Sequence, residues 1–196
     1  MDPLPARVAS TLEMRLRERH VHGAAVAAFD RDRVCFAGGV GYADLDRAEP
    51  AGPETVFRVA SVSKLLTTTL ALVVADTGRL DLDAPVNRHL PDALRIADAD
   101  GAPAEATLAQ VLSHSSGLPY GVRGAELANP LASLVANGGR VRTLADAISG
   151  LQLVHPPGER VVYSNPGFNV VGFAAARAVD RPFEVAAHQH VLEPLG

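Results

Sequence analysis

A serine and a lysine three residues apart are the first side chains in the sequence whose types and spacing point to chemistry. Ser61 and Lys64 stand at the two ends of the tetrapeptide SVSK, just before a long apolar segment. On a helix, residues three apart share a face, so the two side chains are expected within hydrogen-bonding reach. A serine hydroxyl needs a neighbour to take its proton, and desolvation by apolar neighbours such as Leu65 would lower the pKa of the lysine enough to help.

The composition draws attention to the same lysine. The 18 basic residues comprise 17 arginines and one lysine, Lys64. Arginine stays protonated in proteins, so Lys64 is the chain's single amine side chain that is able to give up a proton. The alternative is an ordinary solvated lysine in the first turn of a helix, since lysines are mostly exposed.

A second group of polar side chains follows about a hundred residues later, in Tyr163-Ser164-Asn165. The pKa of a phenol near an ammonium group is lowered, which would make Tyr163 a general base for Ser61 and then a proton donor to the leaving group. Asn165 offers both a donor and an acceptor to an amide or ester substrate. The alternative is structural: Ser164 or Asn165 caps a helix and Tyr163 packs against the core.

The elements before Ser61 are predicted from hydrophobic periodicity. Leu4, Val8, Leu12 and Leu16 recur at helical spacing, which predicts an amphipathic surface helix ending near Gly23. Residues 23–29 and 33–42 are rich in apolar and small residues and are separated by a short polar turn, which predicts a β-hairpin.

The longest periodic segment begins at Ser61 and ends at Gly78. Its apolar residues occur on several sides, which predicts a central helix that is buried nearly all round. Residues 79–157 are predicted as loops and short helices, two of which start with capping-box patterns at Thr107 and Thr143. Further helices are predicted after Pro166 and near Pro182.

Length, composition and charge limit the classes of function. The 196 residues, 47% of them hydrophobic, supply one core, and the net charge of -4 without a basic run argues against nucleic acid and acidic lipid as partners. We therefore expect a small-molecule or peptide substrate. The single cysteine, Cys35, excludes an internal disulfide. The first twenty residues lack a signal-peptide core and no apolar run has membrane-spanning length, so a cytoplasmic protein is expected.

Four ordered segments carry a family resemblance: FRVASVSK (57–64), VLSHSSGLP (111–119), PPGERVVYSNPGFNVVG (156–172) and VLEPLG (191–196). Together they resemble the serine β-lactamase and penicillin-binding-protein superfamily, closest to its class C, esterase and D-amino-acid-peptidase branches. The resemblance implies an α/β (α+β) fold of the β-lactamase/transpeptidase type, in which Ser61 is acylated, Lys64 and Tyr163 exchange its proton, and Asn165 contacts the substrate. No cofactor is implied.

The sequence departs from the family pattern at one point. The family's third motif, Lys-Thr-Gly or His-x-Gly on a later strand, has no counterpart in these 196 residues. In the family that strand supplies the second backbone donor of the oxyanion hole, and one such donor is worth about 100- to 1000-fold in rate. We therefore expect an incomplete domain lacking its C-terminal strands, with an α/β part over 1–78 and a mostly helical part over 79–196.

Other constellations are weaker, and two rival interpretations stay open. His114 lies outside any Gly-x-Ser-x-Gly elbow, and the pairs His20/His22 and His188/His190 lack the partners of a metal site. Asp81, Asp83, Asp98 and Asp100 are interpreted as loop and turn residues. The rivals to a serine hydrolase acting on an ester, a β-lactam or a D-amino-acid peptide are a non-catalytic relative that serves as a binding or scaffold module, and an unrelated helix-rich domain.

Overall fold

The computed structural model describes residues 5–121 and 143–196. Its contacts group the chain into two compact units, Met1–Val59 and Ala60–Gly196. The helix that follows Ser61 thus belongs to the second unit, whereas the sequence prediction grouped it with the hairpin. The predicted division into parts at residue 78 stays a prediction.

The first unit contains one helix and a small antiparallel sheet. Helix α1 spans Ala6–Arg19, and strands β1 (Gly23–Phe29), β2 (Val34–Asp44) and β3 (Glu49–Pro50) lie in the order β1-β2-β3. The predicted hairpin is confirmed, with Ala25 opposite Gly39. Val8, Leu12 and Leu16 of the predicted helical stripe are half-buried, and Leu4 lies outside the described residues.

The glycines of β2 allow neighbouring backbone to approach closely. A Cβ atom at Gly39 would collide with the backbone carbonyl of Ala51, and Gly41 has φ 73°, a conformation that favours glycine. The pairing between β2 and β3 shifts register between Tyr42 and Asp44. Backbone proximity thus explains the glycine-rich end of this strand.

The second unit is helical. Among its described residues the α-helices are α2 (Ser63–Asp76), α3 (Leu108–Leu112), α4 (Leu144–Ile148), α5 (Asn165–Ala178), α6 (Phe183–Ala187) and α7 (Glu193–Leu195), and the turns beside the first and last of them include a 3₁₀ turn at Ala60–Val62 and a π-helical turn at His188–Leu192. Both predicted capping boxes form, at Thr107 with Gln110 and at Thr143 with Asp146. Each box satisfies backbone N–H groups that the first turn of a helix leaves unpaired.

The core of this unit lies between α2 and α5. Buried side chains of α2 face those of α5, and α3 and α4 close the same cluster; it includes Leu70, Val74, Leu108, Val111, Ile148, Val170, Val171 and Ala174. The predicted burial of α2 on nearly all sides is wrong. Leu65 is 69% exposed and Leu72 is 46% exposed, because the neighbouring helices cover only the face formed by Thr67, Leu70, Ala71 and Val74.

Neither a membrane-spanning helix nor a metal-ligand cluster occurs among the described residues. None of their helices combines the length and the apolar character that crossing a bilayer requires. No cluster of three or more histidine, cysteine, aspartate or glutamate side chains in those ranges is arranged to hold a metal ion.

Candidate active site

Ser61 lies in the 3₁₀ turn that leads into α2, and Lys64 lies in the first turn of that helix. The Lys64 Nζ atom is 3.2 Å from the Ser61 Oγ atom and donates a hydrogen bond to it. The preceding residue, Ala60, has φ 45°, a left-handed backbone conformation that is strained for alanine. The predicted contact between the Ser61 and Lys64 side chains is confirmed.

Tyr163 reaches the same hydroxyl from the other end of the sequence. Its phenol oxygen is 2.8 Å from the Ser61 Oγ atom and donates a hydrogen bond to it. The Ser61 oxygen thus accepts hydrogen bonds from Tyr163 and from Lys64. Two proton-handling groups converge on one hydroxyl, as a nucleophile with an adjacent base requires.

Asn165 binds the amine of Lys64. The Lys64 Nζ atom donates a hydrogen bond of 2.8 Å to the Asn165 Oδ1 atom and lies 4.8 Å from the centre of the Tyr163 ring. Of the two leucines expected to desolvate the amine, Leu65 is mostly exposed and Leu66 is half-buried. Polar oxygens and an aromatic face surround the amine, and these interactions hold it in place.

The segment that carries Tyr163 is fixed by the start of α5. Ser164 is the N-cap: its side chain accepts a hydrogen bond from the Gly167 N–H at 3.1 Å and donates one to the Pro119 carbonyl at 2.7 Å. The Asn165 N–H donates to the Tyr120 carbonyl at 3.1 Å. The structural interpretation holds for Ser164, which caps the helix, but not for Tyr163, which is 39% exposed and hydrogen-bonds to Ser61 instead of packing in the core.

The loop that follows α3 supports this segment. Gly117 has φ 85°, and a Cβ atom there would collide with the His155 carbonyl, so the position requires glycine. The His114 carbonyl accepts a hydrogen bond from the Val162 N–H at 2.8 Å, and the Gly117 carbonyl accepts one from the Val154 N–H at 2.8 Å. The loop thereby aligns the chain leading to Tyr163.

The electrostatic environment changes the acidity of Tyr163. Hydrogen bonding with the Lys64 side chain, and to a smaller extent with Ser61, lowers the pKa of the Tyr163 phenol from its ordinary value of 10.0. The charge of Lys64 acts in the same direction. Lowering this pKa increases the phenolate fraction at moderate pH, which suits a general base.

Two aromatic neighbours of the site were not predicted from the sequence. Phe168 lies 5.5 Å from the Lys64 amine, measured to the centre of the ring, and the His114 ring lies 4.4 Å from that of Tyr163. Phe168 follows Asn165 by three residues on a helix, so their shared face was available as a signal. His114 lies in the segment VLSHSSGLP, but its contact with Tyr163 depends on a left-handed backbone that hydrophobic periodicity does not predict.

The remaining polar residues singled out in the sequence have no place among these contacts. Asp81 and Asp98 accept backbone hydrogen bonds within their own turns, as interpreted. His20 lies at the end of α1 in the first unit, and His188 is exposed in the π-helical turn. The site in the second unit therefore consists of Ser61, Lys64, Tyr163 and Asn165 with their aromatic and capping neighbours.

Comparison with known proteins gives a family match over nearly the whole chain. The model of the family described as Beta-lactamase matches residues 8–196. Among curated proteins, Protein Rv1367c of Mycobacterium tuberculosis is 32% identical over 185 residues, which are 89% of this chain and 46% of that protein. The chain thus spans about half the length of this relative.

Solved structures also match nearly the whole of this chain and about half of their own length. EstCE1, a hydrolase with promiscuous acyltransferase activity, superposes with a TM-score of 0.76 at 27% identity, over 97% of this chain and 51% of its own. A β-lactamase/D-alanine carboxypeptidase from Pseudomonas syringae superposes with a TM-score of 0.72 at 25% identity, over 95% of this chain and 48% of its own.

Proposed function

Because this chain belongs to the β-lactamase family and has a β-lactamase/transpeptidase-like fold, we propose that it is a serine hydrolase that works through an acyl-enzyme on Ser61. One observation carries the proposal. The Ser61 oxygen lies 2.8 Å from the Tyr163 phenol and 3.2 Å from the Lys64 amine, so a route exists for its proton.

The first half of the proposed reaction forms the acyl-enzyme. When the Tyr163 phenol is ionised, the Ser61 hydroxyl donates to the phenolate and transfers its proton as the oxygen attacks the substrate carbonyl. The Lys64 side chain, whose amine lies 4.8 Å from the centre of the Tyr163 ring, stabilises the phenolate. The tetrahedral intermediate then expels the leaving group, which takes the proton from the Tyr163 phenol, and the acyl group remains on Ser61.

The second half regenerates the enzyme. Water attacks the acyl carbonyl while its proton passes to the Tyr163 phenolate, and collapse of the second tetrahedral intermediate returns that proton to the Ser61 oxygen. Asn165 holds the Lys64 amine throughout, through the 2.8 Å hydrogen bond to its Oδ1 atom. Contact between the Asn165 amide and the substrate is part of the proposal, because Asn has both donor and acceptor atoms.

The proposed substrates are carbonyl compounds with a good leaving group: esters, β-lactams or D-amino-acid peptides. The related structures support this range, since one is a hydrolase with acyltransferase activity and another a β-lactamase/D-alanine carboxypeptidase. All three substrate types undergo the same acyl transfer to a serine. No cofactor takes part in the proposed steps.

Hydrolysis assays with matched serine variants test the proposal. A p-nitrophenyl ester, a chromogenic cephalosporin and a D-alanyl-D-alanine peptide serve as substrates for the wild-type protein, Ser61→Ala and the control Ser63→Ala. We expect turnover of at least one substrate with a pre-steady-state burst, retained in Ser63→Ala and reduced by several orders of magnitude in Ser61→Ala. A folded wild-type protein that binds these compounds without turnover would support the non-catalytic binding module instead.

A further inference from the structure

His114 contacts the Tyr163 segment at three points. Its ring stacks on the Tyr163 ring, its carbonyl accepts a hydrogen bond from the Val162 N–H at 2.8 Å, and its Nδ1 atom accepts one from the Ser164 N–H at 3.1 Å. The residues on both sides of Tyr163 are therefore bonded to His114.

We propose that His114 is a positioning residue that holds the Tyr163 phenol within reach of Ser61, and that it does so as the neutral tautomer with its proton on Nε2. Only the expected effect of His114 on turnover rests on the proposed function. The geometric part concerns the arrangement of His114, Tyr163 and Ser164 and is independent of any substrate.

The tautomer follows from the direction of the hydrogen bond. A backbone N–H donates only to an unprotonated ring nitrogen, so Nδ1 carries a lone pair and the proton of the neutral ring is on Nε2. With Nδ1 occupied in this way, His114 does not take the Ser61 proton through that atom. It acts through Tyr163 instead.

The surroundings of the ring favour its neutral form. Burial, and then the charge of Lys64, lower the pKa of His114 from its ordinary value of 6.5. The groups facing the ring are the Lys64 ammonium from α2, the titratable Tyr163 from the segment before α5, and the uncharged Phe168 from α5 at 5.3 Å between ring centres. Protonation of Nδ1 would place its N–H against the Ser164 N–H and add a second cation near Lys64.

The sign of the pH dependence follows. Because the folded-state pKa of His114 is lowered, the neutral ring and its hydrogen bond persist above the ordinary pKa and are lost as the pH falls through the folded value. The Ser164 amide should therefore be protected from exchange near neutral pH and lose protection below the His114 titration.

The backbone of His114 determines which variants are informative. Its φ is 60°, and among the residues Gly and Asn adopt this conformation with the least strain. His114→Asn keeps an acceptor close to the position of Nδ1, whereas His114→Gly removes acceptor and ring. Comparing these two variants measures the effect of the side chain without the backbone strain that Ala or Phe would introduce.

The test uses three readouts on the purified protein: imidazole NMR, titration of the Tyr163 phenol and ester-hydrolysis kinetics. Nitrogen-15 NMR of the imidazole rings should show Nδ1 of His114 unprotonated and Nε2 protonated at neutral pH. In His114→Gly the phenol of Tyr163 should titrate at higher pH, and kcat for ester hydrolysis should fall by about 10- to 100-fold with little change in KM. In His114→Asn, the titration of the Tyr163 phenol and the kcat value should both lie close to those of the wild type.

Each contrary result overturns the inference. A protonated Nδ1 at neutral pH would contradict the proposed tautomer. This measurement uses the wild-type protein, so it remains decisive even if His114→Gly folds poorly. An equal loss of kcat in His114→Asn and His114→Gly would identify a catalytic base instead. A wild-type protein without turnover would refute the proposed function alone, since NMR and the phenol titration still decide the positioning role.

Discussion

The phenol oxygen of Tyr163 lies 2.8 Å from the hydroxyl oxygen of Ser61, although 102 residues separate them in the sequence. The contact forms because Ser61 precedes α2 and Tyr163 precedes α5, and the two helices pack against each other through a shared apolar core. The chemistry proposed for the site therefore depends on the packing of these two helices.

Removing the phenol oxygen should abolish most of the activity while leaving the stability of the fold nearly unchanged. Tyr163→Phe keeps the ring and its contact with His114 but eliminates the group that exchanges a proton with Ser61. We expect kcat to fall by about 100- to 10,000-fold, with an almost unchanged melting temperature. Tyr120→Phe is the matched control, because Tyr120 is exposed and its ring lies 6.1 Å from that of Tyr163. Similar kcat values for the two variants would refute the role of Tyr163.

The phenol of Tyr163 should ionise at lower pH than an ordinary tyrosine side chain. Hydrogen bonding and charge from Lys64 lower the pKa of the Tyr163 phenol, so the phenol loses its proton below the ordinary pH range. The rising limb of the kcat/KM profile should therefore lie at lower pH as well. An ultraviolet titration of wild type and Lys64→Met measures this. The neutral variant should shift the titration upward, whereas Lys64→Arg, which keeps the charge, should shift it less. A Tyr163 phenol that titrates at the same pH in the wild type and in Lys64→Met would contradict the account.

Asn165→Asp should separate stability from activity. An aspartate at the first residue of α5 interacts favourably with the helix dipole, which is worth about 0.3–1 kcal/mol. The same carboxylate would neutralise the Lys64 ammonium, to which residue 165 is hydrogen-bonded, and so raise the pKa of Tyr163. We expect a melting temperature that is unchanged or higher, together with lower kcat/KM and a rising limb at higher pH. An unchanged pH profile would show that Lys64 does not set the acidity of the phenol.

Ser164 should contribute to stability more than its small size suggests. Ser164 is 1% exposed, and its hydroxyl caps α5 and donates to the Pro119 carbonyl, so Ser164→Ala removes a cap and a buried hydrogen bond. We expect a loss of about 1–3 kcal/mol in the free energy of unfolding by denaturant titration. The exposed Ser113, which bonds within its own helix, is the control, and Ser113→Ala should stay within about 0.5 kcal/mol of wild type.

Local rules predicted much of the secondary structure. The hairpin, both capping boxes and the start of α5 follow from turn residues, cap residues and short-range periodicity, and all of them form. The contact between Ser61 and Lys64 was predictable for the same reason, because helical spacing alone brings them together.

Features that depend on tertiary packing were harder to predict. The apolar residues of α2 lie on several sides, so the pattern gave no means of telling the buried face with Leu70 from the exposed one with Leu65. The role of His114 depends on a left-handed backbone and on a partner 50 residues away, neither of which periodicity encodes. The segment 122–142, predicted as part of a region of loops and short helices, lies outside the described residues.

Covalent labelling tests the central claim most directly, namely that Ser61 is the activated nucleophile. The folded protein, Ser61→Ala and Ser63→Ala are each treated with a fluorophosphonate, and the adduct is located by mass spectrometry of peptides. The account predicts one adduct, on Ser61, in the wild type and in Ser63→Ala, and none in Ser61→Ala. An adduct that persists in Ser61→Ala, or a folded wild-type protein that stays unlabelled, would contradict it.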